Sequence, residues 1–209
     1  MRCGFSASDG VSGVPERGRR SLSLNSPGLP RREQGFNMME LLVTVSIISI
    51  LTVIGVPSFR NLMSSRAVQG QVEDLASSIR LARTEALKRS VPVTICRTAN
   101  PNDPTPGCAA GTDWSTGWIL FVDRAPRGVV GTNDTLIRVQ QSYANSGGIN
   151  RTGSATITFI PAGIAPGADG NFLFRPKIPS TDSAYNKISR RVCVNNSGAT
   201  RLLPGETAC

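Results

Sequence analysis

The sequence contains no histidine. That absence excludes Ser-His-Asp and Cys-His nucleophilic catalysis and every histidine-ligated metal site. Lysine is scarce too: Lys88, Lys177 and Lys187 are the only lysines among 23 Lys and Arg. The other cations are arginines, which suit bidentate contact with carboxylate or phosphate. Aromatic residues make up 5% and apolar residues 39%, low for a packed globule yet above the disordered range. Acids number 14, so the net charge is +9. That balance is compatible with a polyanionic partner but fixes neither fold nor partner. Asp123, Asp134 and Asp169 are scattered among turn-forming residues and make no acid/base constellation. The chain reads as a non-enzyme that needs no cofactor and binds no metal.

Charge and apolar content are unevenly distributed. Residues 1–35 are rich in Ser, Gly, Pro and Arg and show no apolar period, the pattern of a disordered leader. They carry six arginines against Asp9, Glu16 and Glu33, about a third of the net charge. Residues 36–56 are apolar, with Glu40 as the one ionisable side chain. At about 1.5 Å per residue this run is roughly 31 Å long, matching a bilayer's hydrocarbon core. Arg31 and Arg32 just upstream would hold its N-terminal side in the cytoplasm. A cleaved signal peptide would show small residues after the run, and Ile54-Gly55-Val56-Pro57-Ser58 fits poorly, which favours a retained span.

A helical period continues beyond the span. Val68, Val72, Leu75, Ile79, Ala82 and Ala86 recur at steps of four and three, which is one apolar stripe. Arg66, Gln69, Glu73, Arg80 and Arg83 fall off it, and Glu85 with Arg89 makes an i,i+4 pair in the favoured order. Pro57 lies between the membrane part and the amphipathic part, where it predicts a kink rather than a stop. Pro92 closes a helix spanning about 37–89. From residue 91 the pattern becomes short strands between turns, with candidates at 91–97, 117–123, 135–141, 155–160, 171–175, 187–195 and 199–203. In the second of these, Trp118, Leu120 and Val122 alternate as a core face, and Leu87 joins Ala82 and Ala86 as helix-to-sheet packing. The loops at 100–107 and 125–133 are candidate partner-facing segments.

The expected fold is α+β. A long N-terminal helix, membrane-spanning in its first half and amphipathic in its second, packs on a C-terminal antiparallel β-rich head. Residues 1–35 are the leader, 36–56 the span, 57–89 the stalk and 90–209 the head.

An acid five residues into a span costs about 2.5 to 3.5 kcal/mol and needs a partner. Cleavage between Gly35 and Phe36 would create an α-amine four residues from Glu40. Gly35-Phe36-Asn37-Met38-Met39-Glu40-Leu41-Leu42-Val43 resembles the class III signal of type IV pilins and type II secretion pseudopilins. The resemblance implies a prepilin peptidase that cuts after Gly35 and N-methylates Phe36, an assembly role for Glu40, and a helix kink at Pro57. It also implies other pilins or pseudopilins and the bacterial inner membrane as partners, with the N-terminus cytoplasmic and the head periplasmic. A 35-residue leader is longer than the family's usual one. Leu81-Ala82-Arg83-Thr84-Glu85-Ala86-Leu87-Lys88-Arg89 and the later Trp114-Ser115-Thr116-Gly117-Trp118 narrow the resemblance to the minor pilins that include GspH and FimT.

Cys3 falls in the leader, leaving Cys96, Cys108, Cys193 and Cys209 as an even set in an oxidising compartment. Three connectivities exist. Cys96–Cys108 and Cys193–Cys209 are favoured because each pair brackets a turn-rich stretch. The rival zinc site lacks any Cys-x-x-Cys. FimT-like relatives imply DNA as a further candidate partner through a C-terminal Gly-Arg-x-Arg stretch. Gly198-Ala199-Thr200-Arg201 keeps its glycine and last arginine only. Lys187, Arg190, Arg191 and Arg201 are the candidate DNA-binding cations, with a solvated basic face as the alternative.

Overall fold

The computed structural model describes residues 35–124 and 127–209. Most of the leader, with Cys3, and Ala125 and Pro126 of one candidate loop lie outside the described residues. The boundary between the chain's two compact units falls after Val43.

Helix α1 spans Met38–Arg89 and continues through Pro57. At its start, the Asn37 carbonyl accepts from the Glu40 and Leu41 amides at 2.9 and 3.2 Å, and the Asn37 side chain accepts from the Met39 amide at 3.4 Å. Asparagine is a preferred capping residue, and Glu40 in the first turn complements the helix dipole. Lys88 and Arg89 complement it in the last turn. Ser90 adopts a left-handed backbone with φ 55°, and Pro92 follows. The chain thus leaves the helix as the sequence predicts.

The helix has two surfaces. Described apolar side chains from Phe36 to Met63 are about half exposed or more. From Val68 the predicted stripe is buried: Leu75, Ala82 and Ala86 are 0% exposed. Arg66, Gln69, Glu73, Arg80 and Arg83 face solvent, and the Glu85–Arg89 pair forms. Leu87 departs from expectation, being half exposed. It sits one position off the stripe and covers Gly163, whose added Cβ would meet it at 3.1 Å.

The head contains two four-stranded sheets whose neighbouring strands are all antiparallel. One has the order β3-β2-β1-β5, from Thr135–Gln140, Trp118–Val122, Val93–Arg97 and Thr156–Phe159. The other has the order β4-β6-β7-β8, from Ser146–Gly153, Gly170–Pro176, Arg190–Val194 and Thr200–Pro204. One core joins the helix stripe to both sheets through Val93, Ile95, Trp118, Ile157, Phe172 and Val192.

Three differences from the sequence reading have physical causes. Strand β2 is buried on both faces rather than one. Its Ile119 and Phe121 meet Cys96 in a second small core, closed by Cys108, Val130 and Val139. Strand β4 was not expected, because Ser-Gly-Gly-Ile-Asn-Arg-Thr-Gly reads as turn composition. The predicted strand at 187–195 begins at Arg190. Lys187 belongs instead to a short helix, α2, over Tyr185–Ile188.

Candidate functional site

The first candidate site is the start of α1. Gly35, Phe36 and Asn37 precede the helix as exposed, non-helical residues, and Phe36 is 77% exposed. Glu40 is exposed one turn in. No recorded ion pair among the described residues involves it.

The stalk is tied to the head by polar contacts flanking the apolar stripe. Tyr143 Oη donates to Asp74 at 2.8 Å, and Arg138 reaches Ser77 at 3.0 Å and Asp74 at 3.7 Å. Trp118 Nε1 donates to Ser78 at 3.0 Å, and Ser146 donates to Gln71 at 3.2 Å. Burial first, and then the Asp74 carboxylate, push the Tyr143 phenol well above its ordinary value. These bonds fix the rotation of the stalk against the sheets, since each demands a particular helix face.

Both expected disulfides are present. Cys96–Cys108 has a Cα separation of 5.5 Å, and Cys193–Cys209 has 5.8 Å. The first closes a loop that Arg97 also organises, donating to the Asp113 carbonyl at 2.7 Å and the Ala110 carbonyl at 2.5 Å. Asp113 in turn accepts from the amides of Ser115 and Ile149 at 3.0 and 3.2 Å. Burial alone would raise its pKa, but those hydrogen bonds and nearby Arg97 leave it lowered. Asp113 was missed in the sequence because its partner Ile149 is far along the chain. The signal available was local: an Asp two residues before Ser115, at the start of a short 3-10 turn, is a capping residue.

The three scattered aspartates serve turns. Asp123 is fully buried, accepting from Thr94 at 2.5 Å and the Gly128 amide at 2.9 Å. Asp134 accepts from the amides of Arg124 and Gly131, and Asp169 from that of Asn196. No group of His, Cys, Asp or Glu among the described residues could hold a metal ion.

The four candidate DNA-binding cations are not brought into one patch. Arg190 and Arg191 are neighbours in β7 and point to opposite faces of their sheet. Arg201 pairs with Cys193 across β8, so it shares the outer face with Arg191. Arg191 is bound there to the Gly205 carbonyl at 2.9 Å and to Asn171 at 2.8 Å. Arg190 folds onto the carbonyls of Lys187 and Ser189 at 2.6 and 2.9 Å. Gly198, the glycine shared with the DNA-binding stretch, has a structural duty of its own. Its φ is 74°, and an added Cβ would strike Phe159.

Comparison with known proteins gives a family and weaker likenesses. The family model described as type II transport protein GspH matches residues 71–198, more than half the chain. Two crystal structures of the type IV minor pilin FimU from Pseudomonas aeruginosa are similar at 16% identity. One covers 68% of this chain and 92% of its own with a TM-score of 0.48; the other covers 68% and 96% with 0.46. No curated protein matches the chain. The matched segment runs from the buried stalk through both sheets to the β7–β8 turn, and over it the chain belongs to the GspH family of type II transport proteins.

Proposed function

We propose that this chain is a minor pilin-like structural subunit, incorporated into a type II secretion pseudopilus or a type IV pilus after prepilin peptidase cleavage between Gly35 and Phe36. The observation that carries the reading is one helix with two unlike halves. Its first half is apolar, exposed and long enough to cross a membrane, and it bears a single acid five places after Gly35. Its second half is the buried stalk of a GspH-family head.

The mechanism follows from charge in an apolar medium. Cleavage would free the Phe36 amine, which the peptidase then N-methylates. In the bilayer, Glu40 is costly without a cation. The Phe36 amine of a neighbouring subunit would neutralise it and set the register of helix packing. Pro57 lacks an amide donor, which gives the helix a place to bend between the packed anchor and the head. The subunit would sit in the inner membrane, its N-terminus cytoplasmic and its head periplasmic, where both disulfides can form. The DNA-capture reading is not favoured, because the candidate cations are divided between α2 and the two faces of the sheet, and Arg190 and Arg191 are bonded to backbone carbonyls.

Glu40→Ala tests the mechanism. The variant should be processed to the same size as wild type yet be absent from sheared filaments, measured by immunoblot of both fractions. Equal recovery of the variant in filaments would overturn the role of Glu40.

A further inference from the structure

The stalk carries an unassigned groove just beyond the apolar run. It has a volume of about 660 Å³ and lies between α1 and the segment after β6. Phe59, Met63 and Ile178 give it apolar walls, and Arg60, Arg66 and Lys177 give it positive charge. Phe59 and Met63 are 63% and 53% exposed, and the three cations are exposed as well. Arg60 and Arg66 are the only charged residues on the helix from Leu41 to Val72, so no acid on that stretch offsets them. Lys177 is steered by its bond to the Ala144 carbonyl at 2.8 Å.

A second, apolar furrow runs into this groove. It follows one face of α1 through Ile48, Leu51, Gly55 and Val56, and it shares Phe59 and Arg60 with the cationic groove. Gly55 keeps it open, since nothing lies within 4 Å of where its Cβ would be. From Ile48 to Arg60 is about 18 Å of helix, close to the roughly 15 Å of half a bilayer core. An apolar furrow about one leaflet long that ends at three cations matches one chemistry: a phospholipid with its acyl chain along the helix and its anionic headgroup among Arg60, Arg66 and Lys177. A nucleic acid would leave the apolar furrow unused, and an acidic peptide would have to enter the leaflet.

We infer that the Arg60–Arg66–Lys177 groove holds the headgroup of an anionic phospholipid in the outer leaflet and keeps the subunit seated in the membrane until it is drawn into a filament. The inference rests on the reading of residues 36–56 as a membrane span. Each surface cation adds roughly fivefold to attachment at an anionic membrane, so three together give a headgroup preference of tenfold or more.

The test uses the full chain in detergent, given equal phosphatidylglycerol and phosphatidylethanolamine and read by native mass spectrometry. Wild type should retain at least about tenfold more phosphatidylglycerol. Combined Arg60→Gln, Arg66→Gln and Lys177→Gln should reduce the preference to about twofold or less. A control removing the same charge elsewhere, Arg80→Gln, Arg83→Gln and Arg127→Gln, should keep it. Equal retention of the two lipids by wild type, or loss of preference in the control, overturns the site. Excess glycerol 3-phosphate should not displace the lipid, and displacement would assign the groove to a soluble phosphate instead. Membrane insertion is scored separately by carbonate extraction. A carbonate-soluble chain refutes the span, whereas an inserted chain without headgroup preference refutes only the groove.

Discussion

Arg151 is a cation with no carboxylate beside it. It is 3% exposed, and its Nη1 has no hydrogen-bond partner among the described residues. Nε donates to the Ser154 carbonyl, and Nη2 donates to the Ala168 carbonyl at 3.3 Å. The guanidinium lies 4.6 Å from the Phe172 ring centre and 5.8 Å from that of Trp114. Burial lowers its pKa from the ordinary arginine range to about 10. Below pH 10 both folded and unfolded chains carry the proton, and the folded state bears the full desolvation cost. Above about pH 10, and up to the ordinary arginine range, the unfolded chain binds more protons, so this residue's contribution to stability rises with pH. The shift corresponds to about 3 kcal/mol. Urea denaturation of wild type and Arg151→Met across that window checks it. The difference between them should move in favour of wild type as pH rises, whereas a flat difference would mean that the buried charge carries no such cost. The comparison with the variant matters because Tyr143, with its raised pKa, pulls stability the other way above pH 10.

Elements differ in how far the sequence discloses them. The stalk was legible because a helix's packing surface recurs every three to four residues, and the six stripe positions between Val68 and Ala86 are all buried. Strand β4 was not legible, because two of its glycines serve close approach within the sheet. An added Cβ at Gly147 would strike the Pro176 carbonyl, and one at Gly153 would strike that of Asp169. Composition cannot distinguish those duties. The candidate site divides the same way. Gly35 through Glu40 is a continuous signal, readable without a fold. The grouping of Lys187, Arg190, Arg191 and Arg201 depended on strand alternation and on α2, which nearness in sequence hides. The helix stripe should also dominate stability. Leu75→Ala opens a cavity in the core shared by stalk and sheets, and it should cost about 2 to 5 kcal/mol. Exposed Glu73→Ala should stay within about 0.5 kcal/mol of wild type. Thermal melts of the two variants decide whether the stripe or merely any stalk residue matters.

At the scale of the molecule, part of the abundant charge is committed to internal bonds. Arg97, Arg124, Arg138, Arg190 and Arg191 each hold backbone carbonyls or side chains of the head or stalk, and Arg151 is buried. Arg60, Arg66 and Lys177 gather near the apolar run rather than on the outer sheet face. The net charge of +9 therefore overstates what a polyanion could meet at once. A duplex binder that neutralises six to ten phosphates loses affinity with a log–log salt slope of about −5 to −9. Exposed Arg201 and half-buried Arg175 on the outer sheet face leave room for only one or two such contacts there. We expect the full chain in detergent to show a salt slope no steeper than about −2 and no duplex shift near 0.15 M salt. Fluorescence anisotropy with labelled duplex at several salt concentrations measures both. A slope steeper than about −5 would mean that the bonded arginines release their carbonyls to reach phosphate. The basic excess would then belong to nucleic acid rather than to internal bonding and the membrane surface.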